Sequence, residues 1–340
     1  MDRSWLKVWT IAVVLVAGLA LAYEGFLRSR HFLPTVQDDA DLWSLQYDLV
    51  KSDPHAVALL GASRIQFAID PALLSQLLGG RTVAMLAING QYPLAALKAL
   101  ADDGRFAGLA IVGIDARGLW RRHWDMQQAY FNHYRDRWSL ARRIHRQIET
   151  GLQERLVLMR SPFSAANMAK RFLAGFGMPF NEYVVLRSDR VGFIDYGHTD
   201  IAAIKAHRVA ELDAYYRTYP PPPPDVWLRD LTEVSEWVRT IQARGGRVVF
   251  FREPASGEHL AIDERAFPRE LYWDAYARIA PATMIEFRDE PLFTRFNLPD
   301  TSHIDGTDVP AFTIALAEVL QRRGLVPPIT RPAARTIPPM

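Results

Sequence analysis

The chain has 340 residues, 49% of them hydrophobic, enough to bury a full core in one large domain or a domain with an insertion, and too apolar for a disordered protein. Lys and Arg number 40 against 38 Asp and Glu, a formal charge of +2, which gives no ground for nucleic acid as a partner. Cysteine is absent, which excludes disulfides, a catalytic thiol and thiolate metal sites but leaves the compartment open.

The first element is the apolar run Val8 to Tyr23, preceded by Arg3 and Lys7 and followed by Glu24, Arg28 and Arg30. It is slightly short for a span, and Trp5, Leu6 and a snorkelling Lys7 extend it towards the usual ~20 residues. Residues 5–23 are expected to form a transmembrane signal anchor. Ala20-Leu-Ala22 also resembles a cleavage site, so a removed signal peptide is the competing reading, and both export the rest of the chain. A short N-terminal tail and a large C-terminal portion most simply put the tail inside and the domain outside.

Residues 24–52 read as a linker, with Asp38-Asp39-Ala-Asp41 opening a short helix. Residues 53–324 then carry five apolar runs of strand length: Ala56 to Leu60, Thr82 to Ala87, Leu109 to Ile114, Arg247 to Phe251 and Thr283 to Phe287. Helical patterns at Ala72 to Leu78, Pro93 to Ala101 and Asp225 to Ala243 alternate with them. That alternation predicts an α/β fold, a small five-stranded parallel sheet with helices on both faces. Residues 118–219 interrupt it and read as a mainly helical insertion rich in arginine and aromatics. Pro220 to Pro224 form a stiff extended spacer back to the sheet domain, and 325–340 are expected to be a loosely held, proline-containing tail.

Two segments carry the chemistry. Gly61-Ala-Ser63-Arg64 comes directly after the first strand, with Asp70-Pro71 opening a helix just beyond it. Near the other end, Asp300-Thr-Ser-His303 precedes an apolar-faced helix beginning near Val309. An aspartate three positions before a histidine on one loop can fold back to hold Nδ1 of that imidazole, leaving Nε2 to activate a serine from elsewhere. Ser63, the Asn89-Gly90 turn and Asp115 all fall at carboxyl ends of predicted strands, where ligands bind in open α/β sheets. Arg64, Arg117 and Arg252 lie beside the same ends, either to meet an anionic sugar or to be paired with carboxylates. Arg117 to Arg146 interleaves arginine and histidine with Trp120, Trp124, Tyr130, Phe131, Tyr134 and Trp138. This stretch suits a glycan groove, and equally a helix packing its aromatics on the sheet domain. His123, His133 and His145 form no tight ligand pattern with carboxylates, so neither metal nor cofactor is expected.

The order Gly61-Ala-Ser63-Arg64, Ala87-Ile-Asn89-Gly90-Gln-Tyr-Pro, Asp300-Thr-Ser-His303 resembles the SGNH/GDSL hydrolase superfamily. It looks closest to an exported, membrane-anchored branch that includes alginate O-acetyltransferases and teichoic-acid D-alanylation proteins. The resemblance implies a three-layer α/β/α, flavodoxin-like SGNH domain with Ser63 as nucleophile, His303 as general base and Asp300 orienting it. Gly90 matches the glycine whose N–H joins that of Ser63 in the oxyanion hole, and Asn89 is a candidate side-chain donor. Two places depart from the pattern: Ala62 stands where aspartate is usual, and Gly113-Ile-Asp115-Ala-Arg117 lacks the asparagine that completes the hole. Arg64, Asp115, Arg117 and Arg252 are the expected substrate-binding residues. The implied function is an O-acyltransferase, with acetyl the expected group, in the bacterial inner membrane, with its catalytic domain in the periplasm. It would act on an extracytoplasmic polysaccharide, with a membrane-bound O-acyltransferase as donor partner. An SGNH-type carbohydrate or lipid esterase, and a non-catalytic scaffold of a polysaccharide-secretion complex, are the alternatives.

Overall fold

The computed structural model describes residues 3–179 and 183–329. Five strands form one all-parallel sheet: β1 (Val57–Leu60), β2 (Val83–Met85), β3 (Leu109–Gly113), β6 (Arg247–Arg252) and β7 (Thr283–Glu286). β4 (Val184–Leu186) and β5 (Gly192–Ile194) form a separate antiparallel ribbon. The sheet order is β2-β1-β3-β6-β7, one of the two common doubly wound arrangements, and its direction of winding switches between β1 and β3.

Alternation along these short runs supplies the two faces. Ala58, Leu60, Ala110, Val112, Val248 and Phe250 point into one core, and Val57, Leu59, Leu109, Ile111, Val249 and Phe251 into the other. Strands buried on both faces read as unbroken apolar runs, which is what the sequence shows. Helices Leu94–Asp102 and Pro224–Ala243 cover the first face, and Pro71–Leu77 and Val309–Arg322 the second. Each strand ends within a residue or two of its expected limits.

Two parts differ from expectation. The stretch 24–52 is not a free linker: helix Ala40–Ser52, capped by Asp39, buries Trp43, Tyr47 and Val50 in the first core. Its period-3.6 apolar stripe was obscured by the acidic run that caps it. The insertion is mainly helical, yet it also contains the β4–β5 ribbon, and Val191 and Ile194 reach the apolar clusters beneath the Ser63 turn. The proline run ends as Pro224 takes the first turn of helix Pro224–Ala243, and Tyr272 donates to the Pro222 carbonyl at 2.7 Å. Of the tail, residues 330–340 lie outside the described residues.

The chain begins with helix α1 (Arg3–Ser29), long and apolar enough to cross a membrane, with mean hydropathy 2.0 over its most apolar window.

Candidate active site

The site is built at the switch point. β1 ends at Leu60, and the chain turns at once through Gly61 and Ala62 into a single helical turn, Ser63–Gln66, held by Ile65 and Gln66 amides on the Ala62 carbonyl. Glycine is needed at 61 because a Cβ there would lie 2.4 Å from Ile65 Cγ1. Ser63 is thereby lifted above the carboxyl edge of the sheet.

His303 arrives on the loop before helix Val309–Arg322. Thr301 sits in the left-handed region at φ 71°, a costly conformation for a β-branched residue. This turn lets Asp300 fold back on its own loop. Its Oδ1 accepts the amides of Ser302 and His303 at 3.0 and 2.7 Å, and its Oδ2 lies 2.9 Å from His303 Nδ1. His303 Nε2 lies 2.8 Å from Ser63 Oγ. An ionised Asp300 requires the proton on Nδ1, so Nε2 is the lone-pair nitrogen facing the serine hydroxyl.

Electrostatics favour those protonation states. Burial acts to raise the Asp300 pKa but is outweighed by the His303 hydrogen bond, the charges of His303 and Arg208 and the His303 amide, which hold the carboxyl well below its ordinary range. Burial lowers the His303 pKa; Asp300 opposes the shift, and Arg208 and Arg64 add to it. The imidazole is therefore neutral at neutral pH and available as a base.

A cleft of about 260 Å³ opens over Ser63, and Arg64, Gly90, Arg117, Arg208, His123 and His259 are among its lining. Gly90 holds φ +73° in the tight turn joined by the Ile88–Gln91 bridge, so this backbone comes to the cleft where an L side chain would be strained. Asn89 is exposed and is not part of that lining; its backbone N–H donates to Gln66 Oε1 at 3.0 Å. Gln127 ties the two loops together, its Nε2 lying 3.1 Å from both the Gly61 and Gln91 carbonyls.

The expected substrate-binding residues divide. Arg64 lines the cleft but is paired with Asp115 at 2.6 Å, and Asp115 is buried and caps the Gly118 amide at 2.7 Å. Arg117 also lines the cleft. It donates to the Tyr92 hydroxyl at 2.6 Å, stacks over Tyr92, Tyr215 and Tyr216, and has no carboxylate within ion-pair distance among the described residues. Arg252 does not line it: its guanidinium is buried between Glu286 and Glu264 at 3.2 and 2.6 Å. Trp124 is in the core, while Trp120, Tyr130, Phe131 and Tyr134 pack against it, which is the packing reading of that aromatic stretch. No cluster of three or more metal-ligating side chains occurs among the described residues.

Sequence reasoning missed the insertion's contribution. Helix Ile201–Thr218 brings Arg208 to 3.2 Å from Asp300 Oδ2, places Tyr215 on the cleft wall and sets Tyr216 against Arg117. No local motif marks these residues. Glu253, directly after β6, was also missed; burial pushes its carboxyl up to about 7, with Arg64 partly opposing the shift.

No protein-family profile matches this chain, and no curated protein sequence matches it at a significant level.

Proposed function

We propose that the protein is an SGNH-type serine O-acyltransferase that passes an acyl group, acetyl being the simplest, through Ser63 to a polysaccharide hydroxyl. The observation that carries this reading is the continuous Ser63–His303–Asp300 hydrogen-bonded chain at the mouth of one cleft. Sheet order and the sequence order of the three blocks support the family assignment.

In the reaction, Ser63 Oγ attacks the carbonyl carbon of an acyl donor while its proton passes to His303 Nε2. The tetrahedral adduct collapses, its C–O bond to the leaving alcohol breaks, and His303 returns the proton to that alcohol. An acceptor hydroxyl then attacks the acyl-serine while His303 takes its proton; the bond from the acyl carbon to Ser63 Oγ breaks, and His303 returns the proton to Oγ. Backbone N–H groups of Ser63 and Gly90 are the donors suited to the developing oxyanion, and each such donor is worth about 3 kcal/mol of barrier. Arg117, cationic and on the cleft wall with no carboxylate in direct contact among the described residues, though the charges of Asp263 and Asp115 lie near, is the residue suited to an anionic group on the acceptor. A single N-terminal span supports an anchored protein with this domain on the extracytoplasmic side of a bacterial inner membrane, receiving acyl groups from a membrane-bound O-acyltransferase.

The test uses the full chain in detergent with 4-nitrophenyl acetate, with and without an acidic oligosaccharide, against Ser63→Ala. Mass spectrometry of the Ser63 peptide is expected to find one acetyl group in the parent protein and none in the variant. Acetylated oligosaccharide supports transfer, whereas free acetate alone turns the reading to an esterase. A folded parent protein with an unmodified Ser63 would sink both and leave the scaffold.

A further inference from the structure

Helix Leu140–Gln153 carries its polarity inside out. Its buried residues are Arg146, Thr150 and Gln153, while Leu140, Ile144, Ile148 and Leu152 are 72, 50, 61 and 40% exposed. These four recur every fourth residue and so form one stripe along the helix. The helix cannot roll to hide them, because its polar side is fastened. Arg146 donates to the Gln37 carbonyl and pairs with Glu149 at 2.9 Å and Asp39 at 3.4 Å, and Gln153 accepts the Gln37 amide at 3.1 Å. A little further along, Phe172, Leu173 and Phe176 are also exposed, at the end of helix Ala165–Leu173 and just beyond it.

The segment between these two helices is bound to the end of α1. Tyr23 donates to the Phe163 carbonyl at 3.1 Å, Glu24 accepts the Val157 and Leu158 amides at 3.0 and 2.9 Å, and Arg28 donates to the Arg155 carbonyl at 2.6 Å. Leu27 and Phe32 complete the joint in a small apolar cluster with Val157 and Phe163. Trp5 to Ala22 of α1 measures about 27 Å at ~1.5 Å per residue, close to the ~30 Å of bilayer hydrocarbon. Tyr23 to Arg28 then stand at the headgroups, and residues 155–163 stand with them. Leu152 is three residues from Arg155, so the C-terminal end of helix Leu140–Gln153 meets the joint at the membrane surface. The three arginines of this helix are taken up by the domain, Arg142 pairing with Asp41 at 3.0 Å, Arg143 with Asp48 at 3.7 Å and buried Arg146 with Asp39 and Glu149, so the basic charge beside the stripe is that of Lys170 and Arg171 on helix Ala165–Leu173, which has no acid. An exposed apolar stripe of this kind seats at the headgroup–acyl boundary, and neighbouring basic residues favour anionic lipid.

We propose that helix Leu140–Gln153 is an interfacial membrane helix, its Leu140-Ile144-Ile148-Leu152 stripe seated at the headgroup–acyl boundary of anionic lipid beside α1. The inference rests on α1 spanning the bilayer, and it makes a second attachment that stops the domain from swivelling on a single helix. The cleft is then held at a fixed attitude to the membrane.

The absence of cysteine gives a direct test. Full-length chains carrying Ile144→Cys, Ile148→Cys, Leu15→Cys or Arg239→Cys are spin-labelled and placed one per nanodisc of phosphatidylcholine and phosphatidylglycerol. Collision with oxygen, which partitions into lipid, is compared with collision with a water-soluble nickel chelate. The labels at 144 and 148 are expected to give an oxygen-to-nickel ratio several-fold above that at 239, approaching that at 15. Free collision with both reagents means a wet face, and collision with neither means a protein cover; either overturns the proposal. A wet label at 15 overturns it through its premise, while ester turnover by the same protein would leave the Ser63 reading standing.

Discussion

Gly113, the last residue of β3, is where packing and chemistry meet most closely. A methyl group added there would lie 2.1 and 2.5 Å from Ile65 Cγ1 and Cδ1, and 2.3 Å from Glu253 Oε1. Carbon atoms in contact sit about 3.5–4.0 Å apart, so Ile65 has to retreat by about 1.5 Å. It is fully buried and also lies against Gly61. Ile65 shares one helical turn with Ser63, so the displacement passes to the nucleophile. The 2.8 Å Ser63–His303 bond has only about 0.4 Å of slack before it leaves hydrogen-bonding range. Gly113→Ala is therefore expected to cost about 1–3 kcal/mol of stability by overpacking. Turnover of 4-nitrophenyl acetate is expected to fall by about 10²-fold through misplacement. Ile65→Ala alone costs about 2–5 kcal/mol. In the double variant the new methyl occupies part of the vacated space, so the combined cost is smaller than the sum by at least about 1 kcal/mol. Urea unfolding of the four proteins measures the cycle. Additive costs, together with full turnover by a stably folded Gly113→Ala protein, would refute the clamp on Ile65.

Asp300→Asn leaves the shape of the loop but permits the wrong imidazole tautomer, and it should lower turnover by about 10⁴-fold with little change in acyl-donor KM. His303 must be neutral to act, and its pKa lies below the ordinary imidazole value, so the rising limb of the pH–rate profile should lie below about 6.5. Arg208 opposes the imidazolium; Arg208→Gln is expected to raise the His303 pKa and move that limb to higher pH, which a solely structural role would not do. Glu253 gives the opposite dependence for stability. Its folded pKa of about 7 lies above the unfolded value near 4.5, so the folded state holds the extra proton between the two and the contribution is lost as pH rises through that window. Relative to Glu253→Gln, the parent protein should lose up to about 3 kcal/mol between pH 4.5 and 7, measurable by urea unfolding at several pH values.

How much could be read from the chain depends on how locally each feature is encoded. The sheet strands were legible because burial on both faces leaves unbroken apolar runs, and Asp300 and His303 were legible because three residues of loop suffice to join them. Arg208 was not, since nothing near it in sequence shows that helix Ile201–Thr218 crosses the loop at 300. The fate of Arg252 was hidden for the same reason: a strand-end arginine reads alike whether it faces a ligand or, as here, Glu264 and Glu286. Trp43 and Tyr47 were lost in an acidic surrounding that reads as linker until the cap at Asp39 is seen.

These failures concentrate in residues that reach the cleft or its supports from outside the sheet. The sheet supplies Ser63, while the insertion supplies Arg208, His123 and Tyr215 to the cleft and Tyr216 to the stack on Arg117. On the proposed function, reaction type and substrate choice would be carried by different parts of the chain. Exchanging Arg117 for Gln should leave acyl-serine formation from 4-nitrophenyl acetate nearly unchanged while weakening transfer to an acidic oligosaccharide by tenfold or more, about 1.4 kcal/mol. The comparison is made with a neutral oligosaccharide of the same length, for which transfer should be unaffected. Equal loss on both acceptors would mean that Arg117 maintains the tyrosine wall and reads no charge.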